Sequence, residues 1–226
     1  MDYLLDNPAW NALTTGNSHL SEGNKNVKFF DKEVSPFIGL RENTEANFRI
    51  LYELLPHNGP VCLISPVEIR IPDQWQLVRL INCLQMVYAH PAISTNITMQ
   101  PVPLTDKDVP EMMELVKLTN PGPFATRTIE FGHYHGFFCD DKLVAMTGQR
   151  MHAGDFMEVS AVCTHPDYLG NGYARQLLLF HLQRIIAASG TPFLHVRHDN
   201  HRAIEVYKHV GFTTQQEMHF YFIKKR

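Results

Sequence analysis

Residues 158–174, EVSAVCTHPDYLGNGYA, constrain the fold more than any other stretch of this chain. The first part reads as a buried strand, and His165-Pro166 makes a sharp exit from it. A loop carrying Gly170 and Gly172 then opens directly into a long helical pattern. Glycine has no Cβ, so an anion can approach the backbone N–H groups of such a loop closely. The helix start adds unpaired N–H donors and the positive end of a dipole. This order suits a phosphate or pyrophosphate. It also suits a plain strand–turn–helix corner with glycines for tight packing, and two glycines alone do not separate the readings.

At 226 residues the chain can form one large domain or two small ones. A formal net charge of −3, with 19% charged against 44% hydrophobic residues, argues against a basic nucleic-acid binder and against disorder. Cys62, Cys83, Cys139 and Cys163 are scattered with no C-x-x-C spacing, which fits free thiols in a reducing compartment. Asp2 and the lack of a long apolar run at the N-terminus do not read as a signal peptide, and no stretch approaches the ~20 apolar residues of a membrane helix. The expectation is a soluble, cytoplasmic protein with no nucleic-acid or membrane partner.

Residues 1–95 read as a small α/β unit. A short helix is expected at 7–15, strands at 27–30 and 37–40, a helix capped by Asn43 or Thr44 running to about Leu55, and strands at 61–64 and 76–87. This half carries no catalytic constellation and is expected to be a supporting or degenerate domain, joined by a linker at 91–94 to a second domain, 96–226. The second domain restarts with a strand at 99–104, a helix at 109–118, a Pro/Gly break at 120–124 and a short helix at 125–131. Three strands follow (134–139, 143–151, 156–164), then the glycine loop, a helix to about Ala188 and a strand at 193–197. A helix capped by Asn200 and stopped by Gly211 leads into a closing alternating strand, 212–223. The class is α/β, but not a repeated βαβ array. In the third strand Met157, Val159, Ala161 and Cys163 are expected on one face, with Phe156, Glu158, Ser160, Val162 and Thr164 on the other.

With these motifs in place, residues 99–226 resemble the GNAT superfamily of acyl-CoA-dependent N-acyltransferases. Residues 169–174, LGNGYA, are similar to the family's (Gln/Arg)-x-x-Gly-x-(Gly/Ala) pyrophosphate loop, with Leu169 where the family normally has Gln or Arg. Residues 165–168, HPDY, are the usual strand exit. Residues 200–203, NHRA, and 207–212, YKHVGF, match the Asn-x-x-Ala…Tyr-x-x-x-Gly-Phe ending. The resemblance implies a mixed, mostly antiparallel sheet flanked by helices, with a smaller N-terminal α/β domain like the degenerate copies in some two-part members. It implies an N-acetyltransferase that moves an acetyl group from acetyl-CoA to a primary amine by direct attack on the thioester, with no metal. The acceptor would be a small-molecule or peptide amine. The alternative is a non-catalytic acyl-CoA-binding sensor or interaction module.

Acyl transfer to an amine needs a polarised carbonyl, a neutral amine and a proton for the leaving thiolate. An amine with a pKa of about 10.4 is well under 1% neutral at pH 7, so a base is useful. The resemblance assigns the pyrophosphate to the N–H groups of Gly170, Asn171, Gly172, Tyr173 and Ala174, with Arg175 the nearest cation. It assigns the carbonyl to the N–H of Val162 and the pantetheine arm to that of Thr164, on either side of Cys163. Asn200 would face the cofactor. Tyr207 is the candidate acid, against a core tyrosine packed on the last strand. Glu158 is the candidate base because it is expected to share a face with Val162, against a salt bridge to Arg150 across the hairpin; Glu130 is held in reserve. By analogy with the family, Phe124, Arg127 and Thr128 are candidates for acceptor binding, against a rigid turn with a structural arginine. The histidines 195, 198 and 201 span a strand, a turn and a helix start, so their rings need not converge on a metal. Cys163 is expected to be a buried, inert thiol.

Overall fold

The computed structural model describes residues 3–89 and 97–226. The expected linker at 91–94 lies outside the described residues. The first half opens with a 3-10 turn, Leu4–Asp6, and α1 (Pro8–Thr14), where Pro8 occupies a first-turn position whose N–H is dispensable. Next come β1 (Ser21–Gly23), β2 (Val27–Phe30) and β3 (Phe37–Leu40). The Thr44 side chain accepts from the Asn47 N–H and starts α2 (Glu45–Leu54). β4 (Val61–Ser65) and β5 (Trp75–Tyr88) complete this half.

The second half runs β6 (Val102–Pro103) and α3 (Val109–Thr119), preceded by a capping box between Thr105 and Asp108. The short helix expected at 125–131 is a 3-10 turn, Thr128–Phe131. β7 (His135–Cys139), β8 (Lys142–Ala153) and β9 (Phe156–Thr164) form an antiparallel meander. They are followed by α4 (Tyr173–Ala187), β10 (Thr191–Arg197), α5 (His201–Val210) and β11 (Phe212–Lys225).

All of these strands belong to one sheet, in the order β1-β2-β3-β4-β11-β5-β10-β9-β8-β7-β6. Every neighbouring pair is antiparallel except β3 with β4 and β9 with β10. The mixed, mostly antiparallel α/β class is therefore as expected. Hydrogen bonds run unbroken across the boundary drawn at 95/96. β5, from the first half, lies between β10 and β11, and β11 pairs β4 along its other edge. β5 and β11 match along their whole length, from Phe212 beside Tyr88 to Lys225 beside Trp75.

Two cores cover the middle of the sheet on opposite faces. Leu84, Met86 and Tyr88 of β5 join a core with α4 and α5, while Cys83 joins a second core with α1 and α3. β9 changes sides between them. Ala161 has φ 53° and lies opposite a register shift between Met146 and Gly148, which marks a bulge. Met157, Val159 and Val162 pack toward α4 and α5, whereas Phe156, Ala161 and Cys163 pack toward the other core. The expected grouping of Met157, Val159, Ala161 and Cys163 on one face is corrected accordingly, as is the sharing of a face by Glu158 and Val162. One extra residue inverts every later side chain, and a period-two pattern does not reveal it.

Candidate active site

β9 and β10 pair only at their starts, from Thr191 beside Phe156 to Phe193 beside Glu158. Beyond that point they part. β10 continues against β5 as far as Arg197 beside Cys83, and β9 continues against β8 as far as Thr164 beside Ala145. The His165 N–H donates to the Val144 carbonyl of β8 at 2.7 Å. Strand alternation then turns the N–H group of Thr164, one residue back and still in regular register with β8, the other way, toward the opening.

The glycine loop lies at the end of this opening. Gly170 (φ 87°) and Gly172 (φ 78°) are left-handed, and a Cβ built on either meets no atom within 4 Å. Conformation, not crowding, demands glycine here, and the space before the backbone is open. Gly172 is the N-cap of α4 and contributes no side-chain bond, so the first-turn donors of Tyr173, Ala174 and Arg175 lack a side-chain cap. Asn171 turns its side-chain amide back to the Tyr168 carbonyl at 3.2 Å, closing the loop rather than lining the cavity.

A cavity of about 820 Å³ occupies the opening. Val162, Cys163, Thr164, Gly170, Gly172, Tyr173, Ala174, Arg175, Asn200 and Tyr207 all line it, as the sequence reading grouped them. Asn200 Oδ1 accepts the Ala203 N–H at 3.2 Å and caps α5, and Tyr207 lies two turns further on the same helix. Tyr207 is 8% exposed and packs edge-on against Phe212, so it is at once a core tyrosine and a cavity residue. Burial pushes its phenol above the ordinary value, which keeps it protonated.

Sequence reasoning missed the floor of the cavity. Arg79, Ile81 and Cys83 of β5 and Phe220 and Phe222 of β11 line it. The loop 119–123 after α3 lines the cavity as well, and its residues 121–123 belong to the loop that the family analogy named for the acceptor. These strand residues follow simple alternation and form no motif; only the insertion of β5 into the sheet brings them here. Five arginines (79, 150, 175, 197 and 202) and no carboxylate are among the described lining residues.

Glu158 is not available as a base. It is fully buried, and its carboxylate accepts from Arg150 Nε (2.8 Å) and Nη2 (2.6 Å), from the Met151 N–H (3.3 Å) and from His195 Nδ1 (2.7 Å). Burial raises its pKa, but Arg150 and the His195 bond outweigh this and hold it at about 2. The Arg150 salt bridge weighed as the alternative is what forms. His195 is no substitute, because its Nε2 lies 3.1 Å from Gln85 Nε2 and both ring nitrogens are engaged.

Phe124, Arg127 and Thr128 are also corrected, since none of them lines the cavity. Phe124 packs edge-on against Tyr134. Arg127 pairs with Glu130 (2.6 Å) and Asp31 (3.1 Å), which removes Glu130 as the reserve base. Thr128 donates its hydroxyl to the Val34 carbonyl at 2.7 Å. Arg127 and Thr128 fasten the 3-10 turn to the first half of the chain, and their short polar contacts gave no sign of that in the sequence.

A meander feeding a bulged strand, which parts from its parallel neighbour beneath a glycine loop and a helix start, defines the acetyltransferase class of mixed α/β fold. Comparison with known proteins makes this specific. The FR47-like protein family matches residues 134–221. The structure aligns with a protein of Novosphingobium aromaticivorans described as a GNAT-family acetyltransferase, over 100% of both chains, at 32% identity and a TM-score of 0.91. This chain belongs to the GNAT family. A GCN5-related N-acetyltransferase from Kribbella flavida shares the fold at 12% identity, with 93% of each chain covered and a TM-score of 0.61. A GNAT-family acetyltransferase from Colwellia psychrerythraea does so at 12% identity, covering 88% of this chain and 80% of its own, with a TM-score of 0.54. No curated protein matches the sequence.

Proposed function

We propose that the protein is an N-acetyltransferase that moves an acetyl group from acetyl-CoA to a primary amine by direct attack on the thioester. The observation that carries this reading is the opening between β9 and β10, lined by Val162 and Thr164 and ended by the start of α4, which has no side-chain cap. Acetyl-CoA fits the residues present. The left-handed glycines leave open space before backbone donors, and the arginine-lined cavity has the size of a small-molecule site. When bound, it supplies the activated acetyl thioester.

The N–H groups of Gly170, Gly172, Tyr173 and Ala174 hold the pyrophosphate, with Arg175 adding charge. This cradle is backbone, so Leu169 weakens it less than a side-chain site would be weakened. The Val162 N–H donates to the thioester carbonyl oxygen, and the Thr164 N–H holds the pantetheine arm. Tyr207 donates a proton to the departing sulfur. The amine gives up its proton to water, since Glu158 is locked in its ion pair. Direct transfer is supported by Cys163, whose thiol burial pushes up to about 12, far from a nucleophilic thiolate at neutral pH. The described cysteines are all free thiols, which suits a reducing, cytoplasmic setting.

The absence of a carboxylate from the described cavity wall favours a second reading, a non-catalytic acyl-CoA binder. Titration calorimetry with acetyl-CoA, CoA and ATP in parallel, followed by an assay of amine-dependent CoA release, separates them. Micromolar acetyl-CoA binding without ATP binding, and CoA release with an amine, is the expected result. Binding without release from any amine favours the second reading. No binding, or ATP binding alone, overturns both.

A further inference from the structure

We infer that the acceptor amine also carries a carboxylate, and that Arg79 binds it; this rests on the acetyltransferase reading above. Of the five cavity arginines, two are held by carboxylates and two stand at helix starts. Arg150 is held by Glu158, and Arg197 is held by Asp199 through Nε (3.0 Å) and Nη2 (2.6 Å). Arg175 and Arg202 stand in the first turns of α4 and α5, where phosphates would bind.

Arg79 differs from Arg150 and Arg197 in having no ion pair among the described residues, and from Arg175 and Arg202 in standing on a strand and not at a helix start. It lies in register with Phe222 of β11, its guanidinium 4.8 Å from that ring's centroid, and it is exposed, with no carboxylate partner among the described residues. It shares a strand face with Ile81 and Cys83, and Cys83 belongs to the core opposite α4 and α5. A ligand phosphate at the helix starts and an anion at Arg79 therefore approach the opening from opposite faces of the sheet. The second anion belongs to the acceptor, not to the acyl donor. A guanidinium laid on an aromatic ring presents a planar edge that matches a carboxylate with two parallel hydrogen bonds. The floor between it and the opening is Ile81 and Phe220, which suits a short hydrocarbon spacer. The class of acceptor is an amino acid, or a short peptide with a free carboxylate.

The test compares acetylation of α-amino acids, 4-aminobutanoate and acidic peptides with that of their amides. It uses the unmodified protein, Arg79→Ala and Arg79→Lys, with acetyl-CoA binding measured by calorimetry on each. The free acids are expected to be preferred about tenfold or more in kcat/KM. Arg79→Ala should raise KM for the acids by about 10–100-fold, the worth of a hydrogen-bonded charge, with the amides unaffected and Arg79→Lys in between. Equal use of acids and amides, or an equal loss on both in Arg79→Ala, overturns the inference. Failure to bind acetyl-CoA would instead remove the transferase reading. Binding of acetyl-CoA with acetylation confined to neutral or polycationic amines, or with none at all, overturns this inference alone.

Discussion

Glu158 and His181 are both buried ionisable groups, and their pH dependence follows from what surrounds each. Glu158, held at about pKa 2 by Arg150 and His195, contributes stability above its ordinary pKa of 4.5 and loses it as pH falls toward 2. Glu158→Gln would leave Arg150 buried and unpaired, and a loss of about 3–5 kcal/mol is expected in urea denaturation at pH 7. A loss under 1 kcal/mol would mean that solvent reaches Arg150. His181 has no hydrogen-bond partner at either ring nitrogen among the described residues, and burial followed by His135 and Arg184 lowers its pKa to about 3. The unfolded chain takes up a proton below about pH 6.5 that the folded chain refuses, so stability declines from there downward, by about 2 kcal/mol at pH 5. His181→Leu should flatten that slope between pH 7.5 and 5, and an unchanged slope would refute this origin. Tyr207 is tested by rate instead. Tyr207→Phe should lower kcat about 100-fold with acetyl-CoA affinity retained, and an undiminished kcat would leave it a packing residue.

At the scale of elements, the glycine loop and the bulge in β9 are local conformations with different visibility. Gly172 needs φ 78° but meets no atom at the Cβ position. Gly172→Ala therefore adds strain of about 1–2 kcal/mol without a clash, and the loop is expected to relax out of its cradle. Acetyl-CoA affinity should fall about tenfold in calorimetry with little change in melting temperature. Unchanged affinity would reduce the glycines to packing. The bulge at Ala161 has no such signature residue, yet it sends Val162 toward α4 and α5 and Cys163 the other way.

At the scale of the whole molecule, β5 decides whether the two halves are independent. It is the shared neighbour of β10 and β11, and its removal would expose both edges within the cavity floor. The Arg127–Asp31 pair and the Thr128–Val34 bond add polar ties between the halves. A fragment of residues 97–226 is expected to lack a cooperative thermal transition. A sharp melt of that fragment would instead support residues 1–95 and 96–226 as separately folding domains.

The sequence by itself determined whatever depends on near neighbours along the chain. The Thr44 and Asn200 caps, the exit at His165, the left-handed glycines and Gly211 at the end of α5 are satisfied within a few residues, so local composition specifies them. The motifs around them also brought Val162, Thr164, Gly172 and Tyr207 to one cavity. Only the tertiary structure decided that β5 lies between β10 and β11, that Arg79 enters the floor, and that Glu158 meets Arg150 and His195 from two other strands. Strand pairing joins residues far apart in the chain, and an alternating pattern states which face is apolar without stating which strand lies beside it.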